Sequence, residues 1–190
     1  FNNGTVTNSS ADVNVTAGDE GAVGGLVGST ASGSKVIKSS AEGDLSGKRL
    51  VGGLVGLSTG AEVSESTAEV DVSGSEIVGG LVGSNSFDSK VTNSSASGEV
   101  SGEVQVGGLI GSDSSGFGVA NSSANGDVTG EERVGGLVGK SGSDTIDDNC
   151  IIVNSSANGA VTGSAMVGGL VGANTNGSKI SNTFAKSDVT

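Results

Sequence analysis

The sequence predicts an all-β chain wound as a right-handed parallel β-solenoid (β-helix) of about seven coils, with about 28 residues in each. Three observations predict it. A glycine-rich hexapeptide returns at a nearly constant step. A period-two pattern of buried and exposed positions returns with it. The composition supplies only small and branched side chains for a core.

The hexapeptide is V-G-G-L-V-G, and it starts at Val23, Val51, Val78, Val106, Val134 and Val167, in steps of 28, 27, 28, 28 and 33 residues. Ile110 is the one substitution within it. Repetition at this period is the signature of a stacked array in which each unit buries its apolar face on its neighbours. The implied coils are 1–28, 29–56, 57–83, 84–111, 112–139, 140–172 and an incomplete 173–190, all in one array. A coil of about 28 residues at roughly 3.3 Å each gives a path of about 90 Å, enough for three short faces and their turns. Paired glycines in every copy, with abundant Ser and Val, oppose helix, and parallel crossovers favour the right hand.

A second block recurs seven times, as in Val91–Gly102. Its alanine column is Ala11, Ala41, Ala68, Ala96, Ala124, Ala157 and Ala185. Four residues on stands a branched column: Val15, Leu45, Val72, Val100, Val128, Val161 and Val189. Ser94, Ala96, Gly98 and Val100 share one strand face, Ser95, Ser97, Glu99 and Ser101 the other, so one side is buried. Val91 is off this parity. The chain therefore bends near Asn93, and the column Asn8, Lys38, Glu65, Asn93, Asn121, Asn154 and Asn182 marks a solvated corner.

Composition agrees. There are 36 Gly, no Pro, Trp, Tyr or His, and four Phe. The interior must be filled by Val, Leu, Ile and Ala, which suits a thin cross-section. Leu26, Leu54, Leu81, Leu109, Leu137 and Leu170 are the expected core. The lack of His removes the commonest general base and zinc ligand. A net charge of −12 argues against nucleic-acid partners and anionic membranes. No apolar run reaches membrane-span length, so no membrane insertion is expected. One cysteine, Cys150, gives no disulfide framework.

The spacing N-S-x-A-x-G-x-V-x-G followed by V-G-G-L-V-G resembles the GLUG repeat, whose Gly-Leu-x-Gly core is here Gly25-Leu26-Val27-Gly28 and its five copies. The resemblance covers essentially the whole chain. It implies the repeat architecture of large secreted or surface-anchored microbial proteins, among them adhesin-like chains and the non-catalytic regions of an immunoglobulin-A-cleaving zinc peptidase family. Where that family usually carries an aromatic, this chain has Ser10, Ser40, Thr67, Ser95, Ser123 and Ser156, with Phe184 the exception. There is no His-Glu-x-x-His motif, so the resemblance implies no protease activity.

Several residues are candidates for function. If the hexapeptide is one strand with Leu inward, its branched residues point out as a lateral interface: Val23, Val27, Val51, Val55, Val78, Val82, Val106, Ile110, Val134, Val138, Val167 and Val171. A local bulge would instead turn them in. Asp44, Asp71, Glu99 and Asp127 form an outward acidic ladder. Asp144, Asp147 and Asp148 sit in the insertion that lengthens one coil. Either set offers the hard oxygen ligands that suit Ca²⁺, the one cofactor the sequence leaves open. Cys150 and Phe117 hold equivalent places before a core position, and both are expected inside. Sequons stand at Asn3, Asn8, Asn14, Asn93, Asn121, Asn154 and Asn176 as glycosylation candidates.

No catalytic residue emerges, and no enzymatic function is expected. The expectation is a structural extracellular or cell-surface β-solenoid, a subunit or segment of a fibre or filament that self-associates end to end and laterally. The alternative is a stalk or ligand-binding repeat region of a large microbial adhesin or secreted peptidase. Neither end shows a recognisable cap, and this is the reading behind end-to-end addition.

Overall fold

The computed structural model describes residues 1–18, 21–143 and 150–190. They form a parallel β-solenoid without helix, in which successive turns of about 28 residues stack on one another. Each full coil has four short faces rather than the three expected. The first sheet runs through Thr5–Thr7, Lys35–Ile37, Glu62–Ser64, Lys90–Thr92, Gly118–Ala120, Ile151–Val153 and Lys179–Ser181, in that order. The second begins with Ser10–Thr16, Ser40–Ser46 and Thr67–Ser73, then splits in each later coil, first into Ser95–Ala96 and Val100–Ser101. The third starts at Val23–Gly24 and the fourth at Val27–Ser29, and both recur in the next five coils.

Every pairing is parallel and aligns equivalent positions. Ala41 faces Ala68, which faces Ala96, then Ala124, then Ala157. The longer coil does not disturb this, because Val119 still pairs with Ile152.

The corner between the first and second sheets is built by one left-handed residue per coil. Asn8, Lys38, Glu65, Asn93, Asn121, Asn154 and Asn182 all have φ between 48° and 51°. Asn tolerates this conformation better than most residues, which accounts for its dominance in the column. The left-handed step resets the strand parity, so Val91 and Ser94 both point inward. The inward serines satisfy the corner's backbone. Ser94 Oγ donates to the Thr92 carbonyl (2.8 Å) and accepts from the Ser66 N–H (3.1 Å). Ser39, Ser66 and Ser122 repeat the same pair of bonds.

The hexapeptide is not one strand. It is the corner between the third and fourth sheets, with the bend at its Gly-Leu pair. The bend breaks the alternation, so valine, leucine and valine all turn inward. Val51, Val55, Val78, Val82, Val106, Ile110, Val134 and Val138 are fully buried. Val23 and Val27 are nearly so, and Val167 and Val171 are partly buried against the same core. The outward lateral interface expected at these twelve positions does not exist. The bulge alternative describes them. Leu54, Leu81, Leu109 and Leu137 are fully buried, while Leu26 and Leu170 are partly buried toward the outer coils. Each fully buried leucine or valine contributes on the order of 1.5–3 kcal/mol.

The glycines let this thin core close. A Cβ on Gly108 would collide with the Gly136 carbonyl of the next coil and lie 2.9 Å from the Ala124 Cβ. The close approach of opposite walls is why alanine is the largest residue tolerated in the facing column.

Two substitutions check this packing. Leu109→Ala should cost about 2–5 kcal/mol in a urea titration, as buried leucine truncations do, while Ser95→Ala on the outer face should cost less than about 0.5 kcal/mol. Gly108→Ala adds one methyl yet should cost about 1–3 kcal/mol through overpacking. Near-neutral behaviour of Gly108→Ala would show that the walls stand further apart.

Candidate functional site

Two features carry the polar chemistry: an acidic face outside and a polar seam inside. The acidic face is the outer side of the second sheet. Asp44 pairs with Asp71, and Glu99 and Asp127 follow in the next coils, all exposed. They line a shallow groove with Ser46 and Ser73. The carboxylates stand in file rather than converging. Among the described residues no three acidic or thiol side chains come together to hold a metal ion. Asp71 Oδ1 accepts the Glu99 N–H (2.8 Å), and Asp127 Oδ1 accepts the Ala160 N–H (2.7 Å). These bonds satisfy backbone donors where the strand is interrupted after Ala96 and after Asn158. Two members of the ladder thus have structural partners that the sequence did not reveal.

Lys35 and Lys90 lie on the first sheet. The Glu62 carboxylate sits between Lys35 (3.3 Å) and Lys90 (3.5 Å) from the coils on either side. Partial burial pushes the Glu62 carboxyl up, but these two ammonium groups outweigh it and hold the group below its ordinary value. The Asp144, Asp147 and Asp148 candidates lie outside the described residues. All seven sequon asparagines are exposed. Asn154 Nδ2 donates to Asn121 Oδ1 (3.3 Å), so glycans on both would disrupt that contact.

Inside, a column of polar residues runs along the fourth sheet. Asn85 pairs in register with Ser58 on one side and Asp113 on the other, and Asp113 pairs with Ser141. All four are wholly buried. Asp113 is the centre of the seam. Its Oδ1 accepts from Asn85 Nδ2 (3.0 Å), from the Ser115 N–H (3.2 Å) and from Ser115 Oγ (2.7 Å). Its Oδ2 accepts from Cys150 Sγ (3.1 Å). Burial pushes the Asp113 carboxyl above the usual carboxylate range, against the pull of these donors. Burial and the adjacent carboxylate push the Cys150 thiol far up. A thiol held protonated is a poor nucleophile, so its role is to donate to Asp113.

Cys150 is buried as its position suggested, but Phe117 is not. It is 63 % exposed, because the left-handed Gly118 (φ 59°) turns the chain and Ser115 takes the inner place. All four phenylalanines are exposed, at Phe1, Phe87, Phe117 and Phe184. The narrow core has no room for an aromatic ring.

Stacked coils of nearly constant length, a continuous aliphatic core and parallel in-register pairing define a β-solenoid repeat protein. The chain matches the family described as "The GLUG motif" four times, over residues 47–73, 74–101, 130–162 and 163–190. These matches cover more than half of it, and the chain belongs to the GLUG family. Each match opens on a glycine just after the second sheet and closes one coil later, so the motif is one full turn of the solenoid. Comparison with curated proteins and with solved structures gave no match.

Two measurements probe these features. An acid with a raised folded value favours the fold most below its unfolded value, and that contribution is lost as pH rises from there through the folded value. Asp113→Asn should therefore melt higher than the parent at pH 7, with the gap closing as pH falls to about 4, the ordinary Asp value. A constant gap across that range would remove the burial penalty. Repulsion along Asp44, Asp71, Glu99 and Asp127 should make the melting temperature rise from low salt to molar salt, as screening shortens. A flat salt profile would show that the ladder carries no repulsion.

Proposed function

We propose that this chain is a rigid structural element of an extracellular or cell-surface fibre, and that it is not an enzyme. The observation that supports this most is the uniformity of the axial pairing. Each coil binds the next through the same parallel, in-register backbone contacts, along the whole described length. A rod held this way resists bending and extension without any specialised residue. The same backbone contact is the one by which a further subunit can add to a solenoid edge, which makes end-to-end self-association the natural mode of assembly. The outward valine stripe no longer supports lateral contact. Phe87, Phe117 and Ile151 are exposed in three successive coils and replace it as the apolar contribution to side-by-side packing.

The chemistry favours structure over catalysis. The sequence has no His, the one thiol is buried and protonated, and the acidic ladder is in file and partly occupied by backbone donors. An extracellular setting agrees with the family and with the acidic surface. No helix among the described residues is long and apolar enough to cross a membrane. Divalent cations fit this reading as bridges between neighbouring carboxylates of the ladder, and a chelator should then lower the melting temperature beyond the effect of ionic strength.

Sedimentation velocity over a wide concentration range, with electron microscopy of the same samples, tests the assembly. Filaments with the coil spacing of about 4.8 Å along their axis are the expected result. A stable monomer at high concentration would overturn self-assembly and favour the second reading, a stalk within a larger surface protein, for which the regular pairing is equally suited.

A further inference from the structure

Among the seam oxygens without a hydrogen-bond partner, which include Ser141 Oγ, two stand in adjacent coils. Ser58 Oγ and Asn85 Oδ1 are both wholly buried, and neither forms a hydrogen bond with any protein atom. Ser58 and Asn85 are in register, one coil apart. The orientation of the Asn85 amide is fixed from the other side. Its Nδ2 donates to Asp113 Oδ1 (3.0 Å) and to Ser115 Oγ (3.1 Å). Reversing the amide would set its oxygen against the Asp113 oxygen and lose both bonds. The oxygen is therefore turned away from Asp113. The neighbour in register on the other side is Ser58.

We propose that one ordered water molecule bridges Ser58 Oγ and Asn85 Oδ1, sealed inside the solenoid. The chemistry selects water over an ion. Asn85 Oδ1 accepts only, and needs a donor. Ser58 Oγ carries a proton, and needs an acceptor. A single water accepts from Ser58 and donates to Asn85, which satisfies both ends. A cation would find one amide oxygen and one hydroxyl there, but no carboxylate. Asp113 lies on the far side of the Asn85 amide group, and its oxygens are already engaged by four donors. The water extends the chain of contacts from Cys150 through Asp113 and Asn85 to Ser58. It joins four coils by a polar thread inside an otherwise aliphatic core.

A crystal structure of the wild-type chain at a resolution that places waters decides the matter. A spherical peak at hydrogen-bond distance, roughly 2.6–3.2 Å, from both Ser58 Oγ and Asn85 Oδ1 is the expected result. Its loss in Ser58→Val, whose methyls occupy the hydroxyl's place, would complete the case. Ser58 Oγ bonded directly to Asn85 Oδ1 with nothing between them would overturn the proposal. So would a peak that gives an anomalous signal after rubidium exchange, which would make the occupant a monovalent cation. A peak that persists in Ser58→Val would remove Ser58 as its partner. If that variant does not fold, the wild-type map alone carries the decision. Water-to-amide cross-relaxation at the Asn85 side chain then provides a second readout in solution.

Discussion

Parallel backbone pairing between successive coils is the constraint on which everything else here rests. Each coil's N–H and C=O groups are satisfied mainly by the coil before and the coil after. This fixes the axial rise at the strand spacing of about 4.8 Å and forces equivalent residues into columns. A column of side chains so closely spaced admits few chemistries. Inside, it must be aliphatic or a continuous polar ladder. Outside, it can be hydroxyl, amide or alternating charge, as Lys35, Glu62 and Lys90 show. The acidic ladder is the exception, and it is tempered where Asp71 and Asp127 turn to backbone donors.

The second constraint is thickness. Opposing walls approach until a Gly108 Cβ would lie 2.9 Å from the Ala124 Cβ, so the core is one aliphatic side chain deep. Size then decides location. Leucine and valine go in, phenylalanine goes out, and two inner columns are polar: the corner serines, and the seam around Asp113. The corner serines remain compatible with burial because each donates to a carbonyl of its own coil and accepts an N–H from the coil before, and the seam because Asp113 gathers donors from the coils on either side.

Much of this was legible in the sequence, because repetition turns a fold into an alignment. The alanine and branched columns of the second sheet follow from period-two parity, and the bend at Asn93 follows from the parity break. The hexapeptide leaves its facing open for a related reason. Parity predicts facing only along a straight strand, and two adjacent glycines let the chain turn within the motif. Phe117 was misplaced because Gly118 adopts a left-handed conformation that its neighbours in the column do not share. The seam was missed although its signal was present. Thr30, Ser58, Asn85, Asp113, Ser141 and Asn174 each stand three residues after the second branched residue of the hexapeptide. Polar residues after a glycine read as a turn, and only the burial of the first five reveals them as core, Asn174 being exposed in the last coil.

Near-identical coils carry a hazard of their own, since any coil can stack acceptably on almost any other. A folding chain that looped out one whole turn would preserve the aliphatic columns and most of the backbone pairing. The Asp113 cluster breaks this degeneracy. If the turn containing Asp113 were skipped, Asn85 would stack on Ser141, and Cys150 would lose its acceptor. The donors assembled around the carboxylate come from coils on both sides of it. One irregular buried residue therefore acts as a place mark in an otherwise monotonous text. It tells the chain which turn comes next.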